Sequence, residues 1–275
     1  MAEREQDFYV GYAQQLPAAE ARVTRRTVVV LAALAVCVPL VVVAAQGRLA
    51  PASFEFGDVR GFRGTLVEHP VPALLLARPD AAGVTGTTGA VSSLLLVAPG
   101  KFGASVLVQG RDGEHVDLRG TLVYRDGRTM IEVVPDSIVR AAGTPRTTTV
   151  EDLGSVRLRG EIVDTKCNLG VMNPGGGKTH RDCAARCISG GIPPGLRVRD
   201  AVGAERLFLL VGPAGEPVNQ DVLDVVAEPV EVSGRAERRG DLLLLYADPR
   251  AIRRLGEEER FARSRRRVCS RLSGR

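Results

Sequence analysis

Residues 27–45, TVVVLAALAVCVPLVVVAA, carry no charge and constrain this chain more than any other segment. A helix needs roughly 20 apolar residues to cross a bilayer. The run is apolar on every side and lacks the polar stripe of a helix lying on a soluble core, and Pro39 within it is tolerated in lipid. Arg22, Arg25 and Arg26 precede it, and only Arg48 follows closely. This asymmetry predicts a cytoplasmic N-terminus. The expected protein is therefore single-pass in the cell inner (cytoplasmic) membrane, with its bulk extracytoplasmic and, in a two-membrane cell, periplasmic. Residues 24–30 (TRRTVVV) loosely resemble a twin-arginine export signal, and Val43-Ala44-Ala45 is a passable cleavage site. An uncleaved signal-anchor is the preferred reading, because the run is longer than the apolar region of a usual signal. All three readings send the rest of the chain across the same membrane.

With 275 residues, the chain has room for an anchor and two modest domains. Hydrophobic residues make up 44%, enough for a packed core. Aromatics are only 4% and Trp is absent, so Val, Leu and Ala must fill that core, which suits small sheets. The net charge of +5 is concentrated in the last stretch, from Arg260 to Arg275. A basic tail without interleaved aromatics is not a nucleic-acid surface, so no nucleic-acid partner is expected. In the leader, Phe8, Tyr9 and Tyr12 gather three of the few aromatics in one polar stretch. They suggest a docking segment for a cytoplasmic or membrane protein partner.

Beyond residue 54, short β-type runs alternate with Gly, Pro and Asp turns. Strands are predicted at 59–67, 92–98, 103–108, 115–124 and 129–134, then at 155–163, 206–211, 229–236 and 241–247. The polar, Thr-rich stretch 141–154 reads as a linker. The two series form a weak internal repeat. Each opens on a matching strand, FRGTLV at 62–67 and LRGEIV at 158–163, and each closes on a hairpin whose first strand carries a glycine, Gly120 or Gly234. A glycine inside a strand marks a bulge or sharp bend. About five coiling strands suit a small barrel of the oligonucleotide/oligosaccharide-binding (OB) type. The predicted fold is therefore mainly β: one N-terminal transmembrane helix and two small OB-like barrels, the second with a short cysteine-bearing helix. The parts are a cytoplasmic leader 1–26, a transmembrane helix 27–45, a first barrel 54–140, a linker 141–154, a second barrel 155–255 and a basic flexible tail 256–275.

The densest chemical signal is Asp164-Thr165-Lys166-Cys167, followed by His180-Arg181-Asp182-Cys183 and Cys187. On a helix, His180, Cys183 and Cys187 fall at i, i+3 and i+7 and share one face; Gly190-Gly191 then stops the helix. Three thiolates and an imidazole make a tetrahedral site for zinc or copper(I), and Met172 in the intervening loop offers a thioether. In an oxidising compartment the same cysteines can instead form a disulfide, Cys167 with Cys183 or Cys187. A thiol-disulfide oxidoreductase is a third reading, although C-x3-C is not the thioredoxin spacing. The stretch PGGGKT at 174–179 is not a nucleotide loop: Met172 stands where the P-loop pattern needs glycine. These glycines let the loop fold over the cysteines. Cys37 lies in the span, Cys269 lies in the tail, and His69 and His115 are isolated in β-type segments.

Gly160, Ile162, Val163, Asp164 and Cys167, then Cys183, Ala184, Cys187, Gly190 and Gly191, follow a recognisable pattern. It resembles that of a group of uncharacterised bacterial membrane-anchored exported proteins, whose OB-like barrels carry a D-x-x-C…H-x-x-C-A-x-x-C motif. The likeness covers about residues 155–250. It implies an exported OB-like barrel and supplies no activity. The first domain, which has no cysteine, and the long basic tail depart from the pattern. Without a Ser-His-Asp spacing, a carboxylate pair or a dinucleotide loop, the sequence points to a non-catalytic accessory protein. Its expected partners are the membrane and proteins of a redox or metal-handling assembly; a purely structural scaffold is the alternative.

Overall fold

The computed structural model describes residues 17–46, 52–77, 91–200 and 204–256. The leader aromatics, Arg48, Cys269 and nearly all of the basic tail lie outside the described residues. The chain divides into two compact units, Met1–Ala50 and Pro51–Arg275.

In the first unit, helix α1 (Ala18–Gln46) follows Pro17. It starts ahead of the apolar run because Ala, Glu and Arg in its first turns are strong helix formers. Pro39 sits inside it. Its Val and Leu side chains are exposed, and the 28-residue stretch Ala18–Ala45 is long and apolar enough to cross a membrane.

The second unit holds two closed barrels, as the sequence predicts. Barrel one comprises β1 (Ala52–Phe54), β2 (Arg60–Val67), β3 (Ala73–Ala77), β4 (Val91–Val97), a one-turn helix α2 (Ser105–Val108), β5 (His115–Arg125), β6 (Arg128–Val133) and β7 (Val139–Arg140). Barrel two comprises β8 (Val150–Asp164), helix α3 (Arg181–Ser189), β9 (Pro194–Arg199), β10 (Glu205–Val211), β11 (Pro229–Arg239), β12 (Leu242–Tyr246) and β13 (Arg253–Arg254). Barrel one runs β5-β2-β3-β4-β6 and closes through a β5–β6 pairing; barrel two runs β11-β8-β9-β10-β12 and closes through β11–β12. With the five barrel strands of each numbered in chain order, both follow 1-2-3-5-4-1. The 3–5 contact (β4 with β6, β10 with β12) is the parallel one in each. This is the OB connectivity.

The internal repeat is visible in what its glycines touch. A Cβ on Gly64 of β2 would lie 2.4 Å from the Leu75 carbonyl oxygen of β3, and a Cβ on Gly160 of β8 would lie 2.4 Å from that of Arg197 on β9. In the closing strands, Gly120 would meet Glu132 O at 2.6 Å, and Gly234 would meet Tyr246 O at 2.2 Å. Each glycine lets a neighbouring strand come closer than any side chain permits.

Each barrel has its own core, and a third core joins them. Leu66, Leu74, Leu96 and Ile131 fill barrel one; Ile162, Leu196, Phe208 and Leu210 fill barrel two. The joining core combines Leu95, Val97, Val123 and Met130 with Leu169, Leu207, Leu209 and Leu244. Strands β4 and β10 are therefore covered on both faces, which accounts for their unbroken apolar runs.

Three expectations are corrected. Segment 103–108 is not a strand: amides of Leu107 and Val108 bond back to Ala104 O, and this helical turn turns Ala104 and Val108 inward at i, i+4. The polar linker ends before Val150, because β11 extends to Arg239 and pairs with Val150. Strands β3 and β9 were not expected from the sequence. Pro194 opens β9, a strand position that proline tolerates, and Gly195 faces Leu207, where a Cβ would lie 2.7 Å away.

Candidate metal centre

The segment Asp164-Thr165-Lys166-Cys167 leaves the end of β8 and becomes wholly buried. Each residue has a separate task. Asp164 Oδ1 accepts the Cys167 amide at 2.7 Å, which fixes the turn that presents the thiol. The Thr165 hydroxyl donates to Pro193 O at 2.9 Å and ties the turn to the start of β9. Lys166 crosses to barrel one, where its ammonium donates to Ala98 O at 3.0 Å and Gly100 O at 2.7 Å and pairs with Glu132. The chain then makes a wide turn through Leu169, and Gly170 lies against the Ser53 carbonyl of β1.

The loop that follows returns over this turn. A Cβ on Gly175 would lie 2.3 Å from Cys167 O, so only glycine fits there. The glycines thus do what the sequence suggested. Met172 is exposed, and its carbonyl accepts from Arg125 Nη2 at 3.2 Å. A short 3-10 turn, Lys178–His180, leads into α3 with His180 as N-cap. At the far end, Asn219 Nδ2 donates to the carbonyls of Ile188 and Ile192 at 2.8 and 2.9 Å. Helix α3 is held at both ends.

This frame brings the predicted residues together. Ligand atoms of Cys167, His180 and Cys183 lie within 4.8 Å of one another, and so do those of Asp164, Cys167 and Cys187. Cys167, His180, Cys187 and Asp164 are buried and Cys183 is partly exposed. The four described cysteines, including Cys37 on α1, are free, so the bridge from Cys167 to Cys183 or Cys187 is not formed. His69 is exposed, and His115 packs beside Gly143 and Thr65; neither belongs to the cluster.

Two polar groups tune the donors. His180 Nε2 lies 3.1 Å from Asp164 Oδ2. A carboxylate partner there fixes the proton on Nε2 and leaves Nδ1 as the nitrogen with a lone pair, the arrangement by which a carboxylate orients a metal-binding imidazole. The second group is Lys101, from barrel one, whose ammonium is 2.9 Å from Cys183 Sγ and 3.7 Å from Cys187 Sγ. No motif around Lys101 signals this contact. The hydrogen bond from Cys167 lowers the Cys187 thiol to about 7, and Lys101 adds to that effect. The same bond, with burial, pushes the Cys167 thiol upward. The Lys101 ammonium is itself raised, chiefly by its bond to Cys183.

No family model, curated protein or solved structure matches this chain. What the site can do must therefore follow from its atoms. Soft thiols with an oriented imidazole, buried at a seam between two rigid barrels, can hold a transition-metal ion.

Proposed function

We propose that this chain is a membrane-tethered, extracytoplasmic accessory protein that holds one zinc or copper(I) ion through Cys167, His180, Cys183 and Cys187. The supporting observation is that Cys167 gathers two sets of donor atoms within 4.8 Å, His180 with Cys183 and Asp164 with Cys187, and that Asp164 also stands behind the imidazole. Isolated buried thiols need no carboxylate-oriented histidine, whereas a metal site does. The ion would supply the cross-link between α3 and the β8 turn. The protein's residues supply charge, orientation and exclusion of water. Helix α1 would tether the barrels to the inner membrane, where they serve a redox or metal-handling assembly.

The lowered Cys187 thiol favours a second reading, a thiol-disulfide exchanger. Against it, Cys187 is 2% exposed and Cys167 is 3% exposed, so without opening the barrel seam an incoming disulfide reaches only the partly exposed Cys183. Metal analysis of the full chain, purified reduced in detergent, tests the proposal. About one ion per chain is expected for the native sequence, and less than a tenth of that for Cys167→Ser with His180→Ala. Equal metal content in both would refute the assignment.

A further inference from the structure

We infer that barrel one completes the metal site of barrel two: Lys101 is the counter-charge for the metal–thiolate group, so metal loading and barrel docking stabilise each other. This rests on the metal-binding reading above and extends it to a residue in the other barrel.

The geometry is built rather than incidental. Lys101 lies in the turn between β4 and α2, and its backbone is clamped on both sides. A Cβ on Gly190 at the end of α3 would lie 2.0 Å from Lys101 O, and the Gly103 amide donates to Gly190 O at 3.0 Å. A Cβ on Gly103 would in turn lie 2.0 Å from Gly191 O. Backbone therefore meets backbone across the barrels at three glycines. Upstream, the carbonyls of Ala98 and Gly100 are bound by Lys166, the residue next to Cys167. The ammonium thus reaches Cys183 from a fixed base.

The charge sense is consistent. Three thiolates and a neutral imidazole around zinc carry one net negative charge, and around copper(I) two. Such a group buried at a seam needs a nearby cation. Lys166 is engaged by Glu132 and two carbonyls, whereas Lys101 points its charge at the sulfurs. Partners outside the ligand set typically change metal affinity by about 10- to 100-fold. By reciprocity, an ion held more tightly by the docked loop holds that loop more tightly in return.

The test uses the full chain in detergent, with zinc against a chromophoric chelator and cobalt(II) as a spectroscopic probe. Lys101→Met, which keeps the length and removes the charge, is expected to weaken zinc binding about tenfold or more and to shift the cobalt–thiolate charge-transfer band. Lys101→Arg is expected to recover most of both. Zinc is also expected to slow amide hydrogen exchange across residues 98–104 in the native chain, but much less in Lys101→Met. Zinc affinity within twofold of native for Lys101→Met, with an unmoved cobalt band, would overturn this inference alone. Absence of both zinc and copper(I) uptake by the native chain would overturn the metal reading and this inference with it.

Discussion

His180 Nε2 stands 3.1 Å from Asp164 Oδ2 while the other carboxylate oxygen, Oδ1, holds the Cys167 amide at 2.7 Å. One side chain thus fixes both the imidazole and the backbone of the first thiol. Asp164→Asn keeps the shape but changes the acceptor to an amide. It is expected to lower zinc affinity about 10- to 100-fold with the fold retained, as read by chelator competition. Asp164→Ala also leaves the buried Cys167 amide unpaired and is expected to cost a further ~1–3 kcal/mol of stability, as read by denaturant unfolding.

The Cys167–Cys187 pair gives the metal-free protein a characteristic pH dependence. The Cys187 thiol is depressed from 9.0 to about 7, and that of Cys167 is raised. Between about 7 and 9 the folded pair binds one proton fewer than the unfolded pair, so stability rises with pH. Above about 9 the unfolded chain loses both protons while the folded chain keeps that of Cys167, so stability falls. A maximum near pH 9 is expected in urea unfolding of the reduced, metal-free protein, and Cys187→Ala is expected to abolish the rise below it.

The glycine contacts at the seam set up a paired comparison. Gly190→Ala and Gly103→Ala each force a methyl group onto a backbone carbonyl oxygen 2.0 Å away. Overpacking of this kind is expected to cost about 1–3 kcal/mol. Gly61→Ala on β2 meets nothing within 4 Å and is expected to change stability by less than ~0.5 kcal/mol. Thermal unfolding of the three variants checks this.

Arg125 is 6% exposed, its Nε is buried without a partner, and its hydrogen bond is to the carbonyl of Met172. Burial holds its guanidinium below the ordinary arginine value. A buried cation without a bonded carboxylate contributes little to stability. Arg125→Met is expected to be neutral or to stabilise by about 1 kcal/mol, measured by urea unfolding.

Much of this architecture is legible because its signals are local. The glycines of FRGTLV and LRGEIV mark equivalent strands, since each position tolerates only a hydrogen beside the next strand's carbonyl. The i, i+3, i+7 spacing of His180, Cys183 and Cys187 places them on one side of α3 because the helix does form there. What was missed depends on distant chain. Lys101 is 82 residues from Cys183, and nothing near it in sequence signals a thiol. Segment 103–108 has strand-like composition, but its inward contacts require a helical turn. The unbroken runs at 94–97 and 207–211 record the barrel seam, yet a two-sided strand and a one-sided apolar strand look alike until the second barrel is in place.

Native mass spectrometry of the reduced full chain, after exposure to zinc or copper(I) and removal of excess metal, tests the central claim most directly. One bound ion per chain is expected, lost when Cys167, Cys183 and Cys187 are alkylated. A metal-free mass with all three thiols intact would contradict it.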